Sequence, residues 1–420
     1  MVSYPKDWKL ETIGEIFNTI TDYVAAGSFK DLSENVKYYN SPNYAQLIRT
    51  RDIKSKFKNR DFIFINKQAY DYLWRVHFDD TKIIMPNIGN CGEVYFVEID
   101  KLPHERCVLG PNAIMLFDTD NDMKFIYYAL QRNDFQKDLK DIISPSGQTK
   151  FNKTDLSKIN IRIPADIREQ KAIAETLMTF DRHIENLERL IEKKKMIRDG
   201  AVEDLVSGKR RLAGFNGEWK KSKLEDICVE NGLVRGPFGG SLKKEYFVSK
   251  GYKVYEQKNA IYGNVNIGSY YIDDRKFEEL KRFELNKDDF IVSCSGTIGK
   301  IYRMPCNFEK GIINQALLKI ILDSAKCNLV FFNTYFKWQK FQMKIIDDTQ
   351  GGAMKNLVGM DKFKRTMLYI PLSLLEQQAI ADILTAMDKE IADLEEEKEK
   401  YMALKAGAMD DLLTGKIRLA

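Results

Sequence analysis

Hydrophobic residues recur at helical spacing in two separate segments of the chain. In each segment apolar side chains lie three and four residues apart, which is the pattern of a seam that one helix buries against another. The first seam consists of Ile173, Leu177, Phe180, Ile184 and Leu187, and the second of Ile380, Leu384, Met387, Ile391 and Leu394. We therefore expect two long helices that pack as a coiled coil.

The two helices have similar beginnings and ends. Pro164 precedes the capping box Asp166-x-x-Glu169, and Pro371 precedes Ser373-x-x-Glu376. The helical patterns stop at Ser207-Gly208 and Thr414-Gly415, where glycine can adopt the left-handed cap conformation. These signals predict two helices of about 42 residues.

The intervening segments mix short apolar runs with glycine-rich and asparagine-rich turns. The runs that predict strands are residues 61–65, 82–85, 94–97, 113–117, 289–292, 300–302 and 317–322. Residues 124–139 and 328–346 predict one aromatic-rich helix each. Each segment is therefore expected to be an α+β domain with a small, strongly curved sheet.

The chain is an internal repeat. Residues 164–213 and 371–420 align at an offset of 207, and 22 of the 50 pairs are identical. The shared skeleton includes E-Q-x-A-I-A at the helix entry and G-K-x-R-L-A at the exit. Gly200 and Gly407 recur within the helices, which suggests close backbone contact or a bend. Two copies of one unit imply a pseudo-twofold molecule with antiparallel helices.

The repeat divides the chain into four parts, and their charges differ. Residues 1–164 and 214–371 are the variable domains, and residues 165–213 and 372–420 are the helical segments. Residues 214–371 contain 26 Lys and Arg against 18 Asp and Glu, a net +8, whereas residues 372–420 contain 6 against 11, a net −5. A basic variable domain suits a polyanionic partner such as nucleic acid.

Several protein classes are not indicated by the sequence. No run approaches the ~20 apolar residues that cross a bilayer, and the first residues lack the apolar stretch of a signal peptide. The six cysteines include no CxxC pair, which fits a reducing cytoplasm. We expect a cytoplasmic protein without a membrane segment.

Matching turns mark the two variable domains. Residues 87–95 and 294–302 each read as a strand, a GxxG turn and a second strand. Gly296-x-x-Gly299-Lys300 is two residues shorter than a nucleotide-binding P-loop and leads into a strand. A structural hairpin is therefore the first interpretation. The alternative is a hairpin that also offers backbone amides or Lys300 to a phosphate. Asn90, Thr297 and Lys300 are the candidate DNA contacts of the two turns.

Further polar and basic segments could contact DNA. Loops before the two helices contain Gln148, Lys150, Asn152, Gln350, Lys355 and Asn356. The first domain adds the basic run Arg49, Arg51, Lys54, Lys56, Lys58 and Arg60, and the second adds Arg235, Ser241 and Lys243. Amide and cationic side chains suit base edges and phosphates, although a charge run is more often a solvated face.

Catalytic and metal-binding patterns are largely absent from the sequence. His77, His104 and His183 lack ligand-like spacing with the cysteines. Amino-methyltransferases place N-P-P-Y or D-P-P-Y at the target amine, and the nearest string, Ser41-Pro42-Asn43-Tyr44, differs from both. The chain is therefore interpreted as a recognition protein.

At this point the chain resembles the specificity (S) subunits of type I restriction-modification enzymes, the HsdS family. The resemblance covers almost the whole chain and rests on the repeated I-P…E-Q-x-x-I-A entries, the L-x-x-G-K-x-R-L exits and the alternation of segments. Residues 235–243 are similar to the family's G-P-F-G-[GS]-x-L-K element. The first domain departs from it, with Val24-Ala25-Ala26-Gly27-Ser28-Phe29.

The resemblance implies two target recognition domains, each reading one half of a bipartite, asymmetric sequence in double-stranded DNA. It implies an antiparallel coiled-coil spacer that docks two modification subunits, which carry S-adenosylmethionine and methylate adenine. Two ATP-dependent restriction subunits would complete the nuclease. This chain would then hold no catalytic residue, no metal and no cofactor of its own.

Two other classes remain open at this stage. A coiled-coil scaffold without sequence-specific DNA binding would explain the helices, but not the matched basic loops. A stand-alone DNA-modifying enzyme would need a catalytic motif that the sequence does not show.

Overall fold

The computed structural model describes residues 4–143, 149–238, 240–347 and 356–419. These residues form two compact units. Unit 1 comprises the chain up to Glu188 together with the residues from Glu396 onward, and unit 2 comprises Arg189–Glu395. Each unit therefore combines one variable domain with the first half of one long helix and the second half of the other.

Unit 1 is built on short strands that alternate with short helices. Its strands are β1 (Trp8–Thr12), β2 (Thr19–Asp22), β3 (Ala45–Ile48), β4 (Ile63–Ile65), β5 (Lys82–Pro86), β6 (Tyr95–Val97), β7 (Cys107–Leu109), β8 (Ala113–Phe117) and β9 (Asn160–Pro164). Its α-helices are α1 (Ile13–Ile16), α2 (Phe29–Asn35), α3 (Thr50–Lys54), α4 (Lys67–Tyr72), α5 (Met123–Ala129), α6 (Asn133–Ile142), α7 (Lys153–Leu156) and the first half of α8 (Ile167–Val206).

Unit 2 has a similar order of elements, without an α-helix between its first three strands in the residues described and with an additional strand pair, β18 and β19. Its strands are β10 (Trp219–Lys223), β11 (Cys228–Arg235), β12 (Tyr252–Tyr255), β13 (Tyr271–Ile272), β14 (Phe290–Ser293), β15 (Ile301–Arg303), β16 (Gly311–Ile313), β17 (Leu317–Leu322), β18 (Ile346–Asp347), β19 (Asn356–Leu357) and β20 (Met367–Pro371). Its helices are the second half of α8, then α9 (Gln257–Tyr262), α10 (Asp274–Glu279), α11 (Leu329–Lys337), α12 (Gln339–Ile345), α13 (Met360–Lys364) and the first half of α14 (Leu374–Leu412).

The two units share one sheet topology. Unit 1 has a four-stranded sheet in the order β2-β8-β5-β6 and a three-stranded sheet β4-β3-β7, and unit 2 has β11-β17-β14-β15 and β13-β12-β16. In each three-stranded sheet the central strand, β3 or β12, is antiparallel to one neighbour and parallel to the other, β7 or β16. The α+β class and the internal repeat are therefore confirmed, but the expectation of a single curved sheet per domain is wrong.

The two aromatic-rich helices predicted at residues 124–139 and 328–346 are each broken in two. The breaks fall at residues 130–132 and at Trp338, whose backbone is extended (φ −62°, ψ 128°). Side chains at the breaks are held by hydrogen bonds: Arg132 donates to the Leu413 carbonyl at 2.5 Å and Trp338 Nε1 donates to Glu203 at 2.9 Å. The spacing of apolar residues along the chain carries no information about hydrogen bonds between residues so far apart in sequence.

The capping boxes predicted at the long helices are only half present. Asp166 accepts a hydrogen bond from the backbone amide of Arg168 at 2.8 Å, and Ser373 accepts one from Glu376 at 3.4 Å. The glutamates do not complete the reciprocal half, because their carboxylates bind arginines instead. A buried carboxylate gains more from a guanidinium than from one backbone amide.

These glutamate–arginine pairs join the entry of one helical segment to the exit of the other. In unit 2, Arg211 binds both carboxylate oxygens of the fully buried Glu376 at 2.6 and 2.8 Å, and Trp219 Nε1 donates to it at 3.1 Å. In unit 1, Arg418 binds Glu169 and also Asp7, at 2.7 Å. The glutamate and arginine that recur in both copies therefore have a structural role, because each pair holds two helical segments together.

The glutamine of the repeated E-Q pair has an equally structural position. Gln170 donates to the Pro164 carbonyl at 2.9 Å and accepts from the Asp122 amide at 2.8 Å. Gln377 repeats the first contact with Pro371 at 2.8 Å, and it accepts from the amide of Asn328, the N-cap of α11, at 2.7 Å. Each glutamine thus fixes its long helix to the preceding strand and to the aromatic-rich helix.

Within each unit the long helices run antiparallel, as predicted. In unit 1, Lys405 pairs with Asp181 at 2.6 Å and Lys398 with Glu188 at 3.9 Å. In unit 2, Lys194 pairs with Glu390 and Arg198 with Asp388, at 2.6 and 2.8 Å. Along each set of ion pairs the residue number rises on α8 and falls on α14, which shows that the two helices run in opposite directions. The predicted seam residues that are buried are Ile173, Leu177, Leu187, Ile380, Leu384 and Ile391, and Phe180, Ile184, Met387 and Leu394 are partly buried.

The helix glycines fall into two groups. Gly208 and Gly415 adopt positive φ values of 75° and 69° just beyond the helix ends, which confirms the predicted caps. Gly200 and Gly407 are exposed, and a Cβ added to either would meet no atom within 4 Å. The close backbone contact suggested by their recurrence is therefore not made by the part of the chain described.

Candidate nucleic-acid interface

Both GxxG segments form tight hairpin turns that join neighbouring strands. The first links β5 to β6 and the second links β14 to β15. All four glycines have positive φ: Gly89 and Gly92 at 84° and 103°, and Gly296 and Gly299 at 63° and 75°. These angles explain why glycine occupies the positions, and they support the structural interpretation of the motif.

A glutamine that sequence reasoning missed supports each turn. Gln136 donates to the Leu130 carbonyl at 2.8 Å and lies where a Cβ on Gly92 would come within 2.9 Å. Gln342 donates to the Phe336 carbonyl at 2.5 Å and packs against Gly299 in the same way. One sequence signal could have identified these glutamines, because a Phe-Gln pair recurs at residues 135–136 and 341–342.

In unit 1 the fold brings three of the predicted features together. The hairpin turn contacts the loop before α8, because Gly89 donates to the Thr149 carbonyl at 3.0 Å and Thr149 Oγ1 donates to the Gly89 carbonyl at 2.8 Å. The basic run lies on α3 and the following turn, and Lys54 reaches Glu93 of the hairpin at 2.5 Å. We call these segments, residues 49–60, 87–94 and 149–152, the unit 1 surface.

Most cations of the basic run are already paired. Arg49 binds the buried Asp52 at 2.7 Å, Arg51 binds Asp61, and Lys56 reaches Glu185 at 3.0 Å. Within the described residues, the exposed Lys58, Arg60 and Lys150 have no side-chain hydrogen bond or ion pair. They are therefore the cations of this surface most available to a phosphate group.

Two other candidates in unit 1 are both hydrogen-bonded within the chain. Asn90 is exposed at the tip of the hairpin turn, and its side chain hydrogen-bonds to the Glu93 carboxylate. Asn152 caps α7, with its Oδ1 accepting from the Asp155 amide at 2.8 Å and its Nδ2 donating to the Asp155 carboxylate at 2.7 Å. Both side chains are thus occupied by the chain itself.

In unit 2 the second hairpin turn lies beside a different segment, the end of β11. Arg235 lies beside Cys294 at the start of the turn. Burial raises the pKa of the Cys294 thiol to about 11, and the neighbouring Arg235 acts in the opposite direction. The turn is braced by Ser293, whose hydroxyl donates to the Thr297 carbonyl at 2.6 Å and accepts from the Lys300 amide at 3.0 Å.

The loop after β11 continues this segment. A Cβ on Gly236 would overlap the Asn314 carbonyl oxygen, so only glycine fits there. Further along, Ser241 is half-buried and the exposed Lys243 lies 3.7 Å from Glu245. Thr297 and Lys300 are exposed, and the Lys300 ammonium has no hydrogen-bond or ion-pair partner among the residues described. We call residues 235–238, 240–243 and 294–300 the unit 2 surface.

The remaining candidates cannot be placed. Gln148, Gln350 and Lys355 lie outside the described residues, and for Asn356 only the backbone, in β19, is described.

The two surfaces combine a rigid turn with cations on its rim. Backbone geometry fixed by glycine and glutamine gives each turn a defined shape, whereas the lysine side chains are long and solvent-exposed. Such an arrangement can bind phosphate oxygens and present amide or hydroxyl groups to base edges. In the residues that the structure describes, no group of three or more His, Cys, Asp or Glu could hold a metal ion, and no helix is long and apolar enough to cross a membrane.

Comparison with known proteins gives a consistent result. The chain matches the family model "Type I restriction modification DNA specificity domain" twice, over residues 5–194 and 216–401. It is 23% identical to the putative type I restriction enzyme MjaX specificity subunit of Methanocaldococcus jannaschii, covering 99% of this chain and 95% of that protein. The MjaVIII specificity subunit of the same organism is 24% identical, with 99% and 94% covered.

Two solved structures share the fold. The type I restriction-modification S subunit from M. genitalium aligns with a TM-score of 0.56 at 17% identity, covering 98% of this chain and 97% of that one. A chain from a structure of the type I R-M system, concerned with complex assembly and conformational transition, aligns with a TM-score of 0.61 at 11% identity, covering 99% and 100%.

Proposed function

Because the chain belongs to the type I restriction-modification DNA specificity family, we propose that it reads a bipartite, asymmetric target in double-stranded DNA, one half-site by each unit. The observation that carries this proposal is the duplication of one hairpin turn at corresponding positions of the two units. Each unit places a glycine-braced hairpin turn beside exposed cations, while the sequences of the two surfaces differ. Two units with the same fold but different surface side chains are suited to recognise two different half-sites.

The proposed role is recognition without catalysis. Methylation of adenine would be performed by two modification subunits that hold S-adenosylmethionine, and cleavage by two ATP-dependent restriction subunits. This chain would bind no cofactor itself and would work in the cytoplasm. Its contribution would be to position the partners on the DNA.

The decisive experiment is selection of bound sequences from a random duplex pool by the full-length chain. We expect two short conserved half-sites separated by a fixed number of unspecified base pairs. One continuous motif would contradict the division of labour between the units. No enrichment, with binding unaffected by salt, would favour the coiled-coil scaffold instead.

Phosphate contacts are tested by salt dependence. Lys58→Ala and Lys150→Ala in unit 1, and Lys300→Ala in unit 2, should each reduce the slope of log affinity against log salt by about one. Lys220→Ala is the matched control, because Lys220 is exposed on β10 of unit 2 and lies outside the unit 2 surface. An equal effect of the control variant would show that general charge, not the surface, governs binding.

A repeated stripe on the long helices supports the docking of two modification subunits. Four residues at positions i, i+4, i+7 and i+11 lie on one face of each helix: Lys193, Ile197, Gly200 and Asp204, and in the second copy Lys400, Leu404, Gly407 and Asp411. Ile197 and Leu404 are both 48% exposed. An exposed aliphatic side chain one turn before an exposed glycine allows a partner helix to approach closely.

Each stripe lies within one unit, so two equal stripes suit two equal partners. Ile197→Glu or Leu404→Glu should each remove one modification subunit from the purified complex, as measured by native mass spectrometry. Met196→Glu is the control, because Met196 is 64% exposed on the same helix but its counterpart in the repeat is Ala403. Retention of both subunits by Ile197→Glu and Leu404→Glu would contradict this docking site.

A further inference from the structure

Each unit exposes one phenylalanine almost completely to solvent. Phe238 in unit 2 is 89% exposed and Phe29 in unit 1 is 83% exposed, the two highest values among the large hydrophobic side chains of the described residues. A phenyl ring in water forgoes the stabilisation that burial gives, and a bound partner would supply it.

The two rings occupy the same connection of the fold. Phe29 follows β2 and Phe238 follows β11, and these strands hold corresponding edge positions in the two four-stranded sheets. Both connections lead to the central strand of the three-stranded sheet, β3 or β12. The correspondence was not apparent from sequence, because the residues around the two phenylalanines differ, with Gly27-Ser28-Phe29-Lys30 in one unit and Gly236-Pro237-Phe238-Gly239 in the other.

Different local structures hold the two rings outward. Phe29 begins α2, which is capped by the Ser28 hydroxyl accepting from the Asp31 amide at 3.3 Å and anchored by the buried Leu32. The Phe238 carbonyl accepts a hydrogen bond from the Ser241 amide at 2.8 Å. On one side of Phe238, Gly236 packs on Asn314, and on the other side Leu242 is buried.

Cations lie near both rings in the sequence. Arg235 ends β11, three residues before Phe238, and the exposed Lys243 comes five residues after it. In unit 1, Lys30 is exposed beside Phe29, and Arg75 donates to the Ala25 carbonyl of the same connection at 3.0 Å. A ring among cations suits a polyanion that contains flat apolar surfaces, which is the chemistry of stacked bases on a phosphate backbone.

We propose that Phe238 and Phe29 are wedges, and that each ring enters the base stack of the duplex within the half-site read by its own unit. This inference rests on the proposed function. A methyltransferase must take its target base out of the duplex, which requires that stacking be broken. An inserted phenyl ring replaces part of the lost stacking and so makes that step less unfavourable.

The test uses the full-length chain and the duplex recovered from the random pool. Permanganate oxidises unstacked thymines, and 2-aminopurine fluorescence reports unstacking at adenine positions. We expect the wild-type chain to enhance both readouts in each half-site. Phe238→Ala should abolish the enhancement only in the half-site of unit 2, and Phe29→Ala only in that of unit 1, each with about a tenfold loss of affinity.

Two further variants keep the test decisive. Phe238→Trp should retain the enhancement, because a larger ring can still insert. Leu375→Ser, at a residue 77% exposed on α14 in unit 2, should leave both readouts unchanged. Unchanged thermal melting would show that the variants remain folded, as expected for side chains so exposed.

The outcomes separate this inference from the proposed function. A bipartite motif bound without any unstacking, or unstacking retained by Phe238→Ala and Phe29→Ala, would overturn the wedges alone. If Phe238→Ala kept its DNA readouts but lost a modification subunit, the ring would be a protein contact and the inference would be wrong. Failure to recover any motif would instead overturn the proposed function.

Discussion

Unit 1 and unit 2 share their topology but build one corresponding connection between strands in different ways. After the first strand of the four-stranded sheet, unit 1 continues into a capped helix, whereas unit 2 makes a glycine-rich turn pressed against the Asn314 carbonyl. Both place an exposed phenylalanine on this connection. The comparison teaches that the fold fixes where a surface lies, while its local backbone remains free to differ.

The units differ also in how their charge is used. The basic run of unit 1 is the densest in the chain, yet Arg49, Arg51 and Lys56 are engaged by acidic groups of the same unit. In unit 2, Lys300 stands on the hairpin turn without a partner among the described residues. Charge density along the sequence is therefore a poor guide to which cations are available for DNA.

The largest predicted difference concerns the two buried carboxylates at the helix entries. Glu376→Gln removes the charge that binds Arg211 and Trp219 and should destabilise unit 2 by about 3 kcal/mol. Glu169→Gln should cost unit 1 only about 1–2 kcal/mol, because Asp7 still binds Arg418. Hydrogen exchange of the full chain, followed separately in each unit, measures both values. Equal losses would show that Asp7 contributes nothing.

The glycine-rich turn of unit 2 should be sensitive to a single methyl group. Gly236→Ala forces a Cβ into the Asn314 carbonyl and should destabilise unit 2 by about 2 kcal/mol. Gly240→Ala is the matched control, since a Cβ there would meet no atom within 4 Å. Denaturant unfolding measures the contrast. If Gly236→Ala behaved like its control, the turn would not be rigidly held.

The supporting glutamines, Gln136 and Gln342, should contribute equally to the stability of the two hairpin turns. Gln136→Ala and Gln342→Ala each remove a hydrogen bond to a carbonyl next to a helix break, and each should cost about 1 kcal/mol of local stability. We expect faster amide exchange in the turn of the altered unit alone. Exchange that rises in both turns would show that the glutamines act on the whole chain.

The smallest expected effect is a gain in helix stability. Gly200→Ala and Gly407→Ala replace exposed helical glycines with open space around the added Cβ, and each should stabilise its helix by up to about 1 kcal/mol. The same variants should weaken docking of the modification subunit if the stripes are its binding site. Greater stability with unchanged docking would leave the glycines without a role in partner binding.

The sequence predicted the repeat and the long helices because both depend on local periodicity. The seam from Ile173 to Leu187, the caps at Gly208 and Gly415 and the strand at residues 113–117 need no knowledge of distant contacts. The broken aromatic-rich helices, and the arginine partners of Glu169 and Glu376, could not be predicted. They depend on contacts between residues far apart in sequence, such as Arg132 with Leu413.

The candidate site was predicted in part. The hairpin turns and the basic run were found from glycine spacing and charge, and their closeness in unit 1 follows from the Gly89–Thr149 contacts. Which cations are already paired within the chain could not be read from sequence. Gln136, Gln342 and the exposed rings of Phe29 and Phe238 were missed, since glutamine and phenylalanine carry no charge pattern or motif that points to a surface.

The antiparallel pairing of α8 with α14 sets an order for folding during synthesis. Unit 2 ends at Glu395, so all of its residues have left the ribosome before unit 1 receives its own last helix. Lys405, for example, emerges 224 residues after its partner Asp181, on the order of ten to forty seconds at usual translation rates. The unit begun first is therefore completed last, and its exposed helix is a surface on which chaperones could act. In a released chain that is truncated after Glu395, unit 2 should resist proteolysis while unit 1 remains open to cleavage.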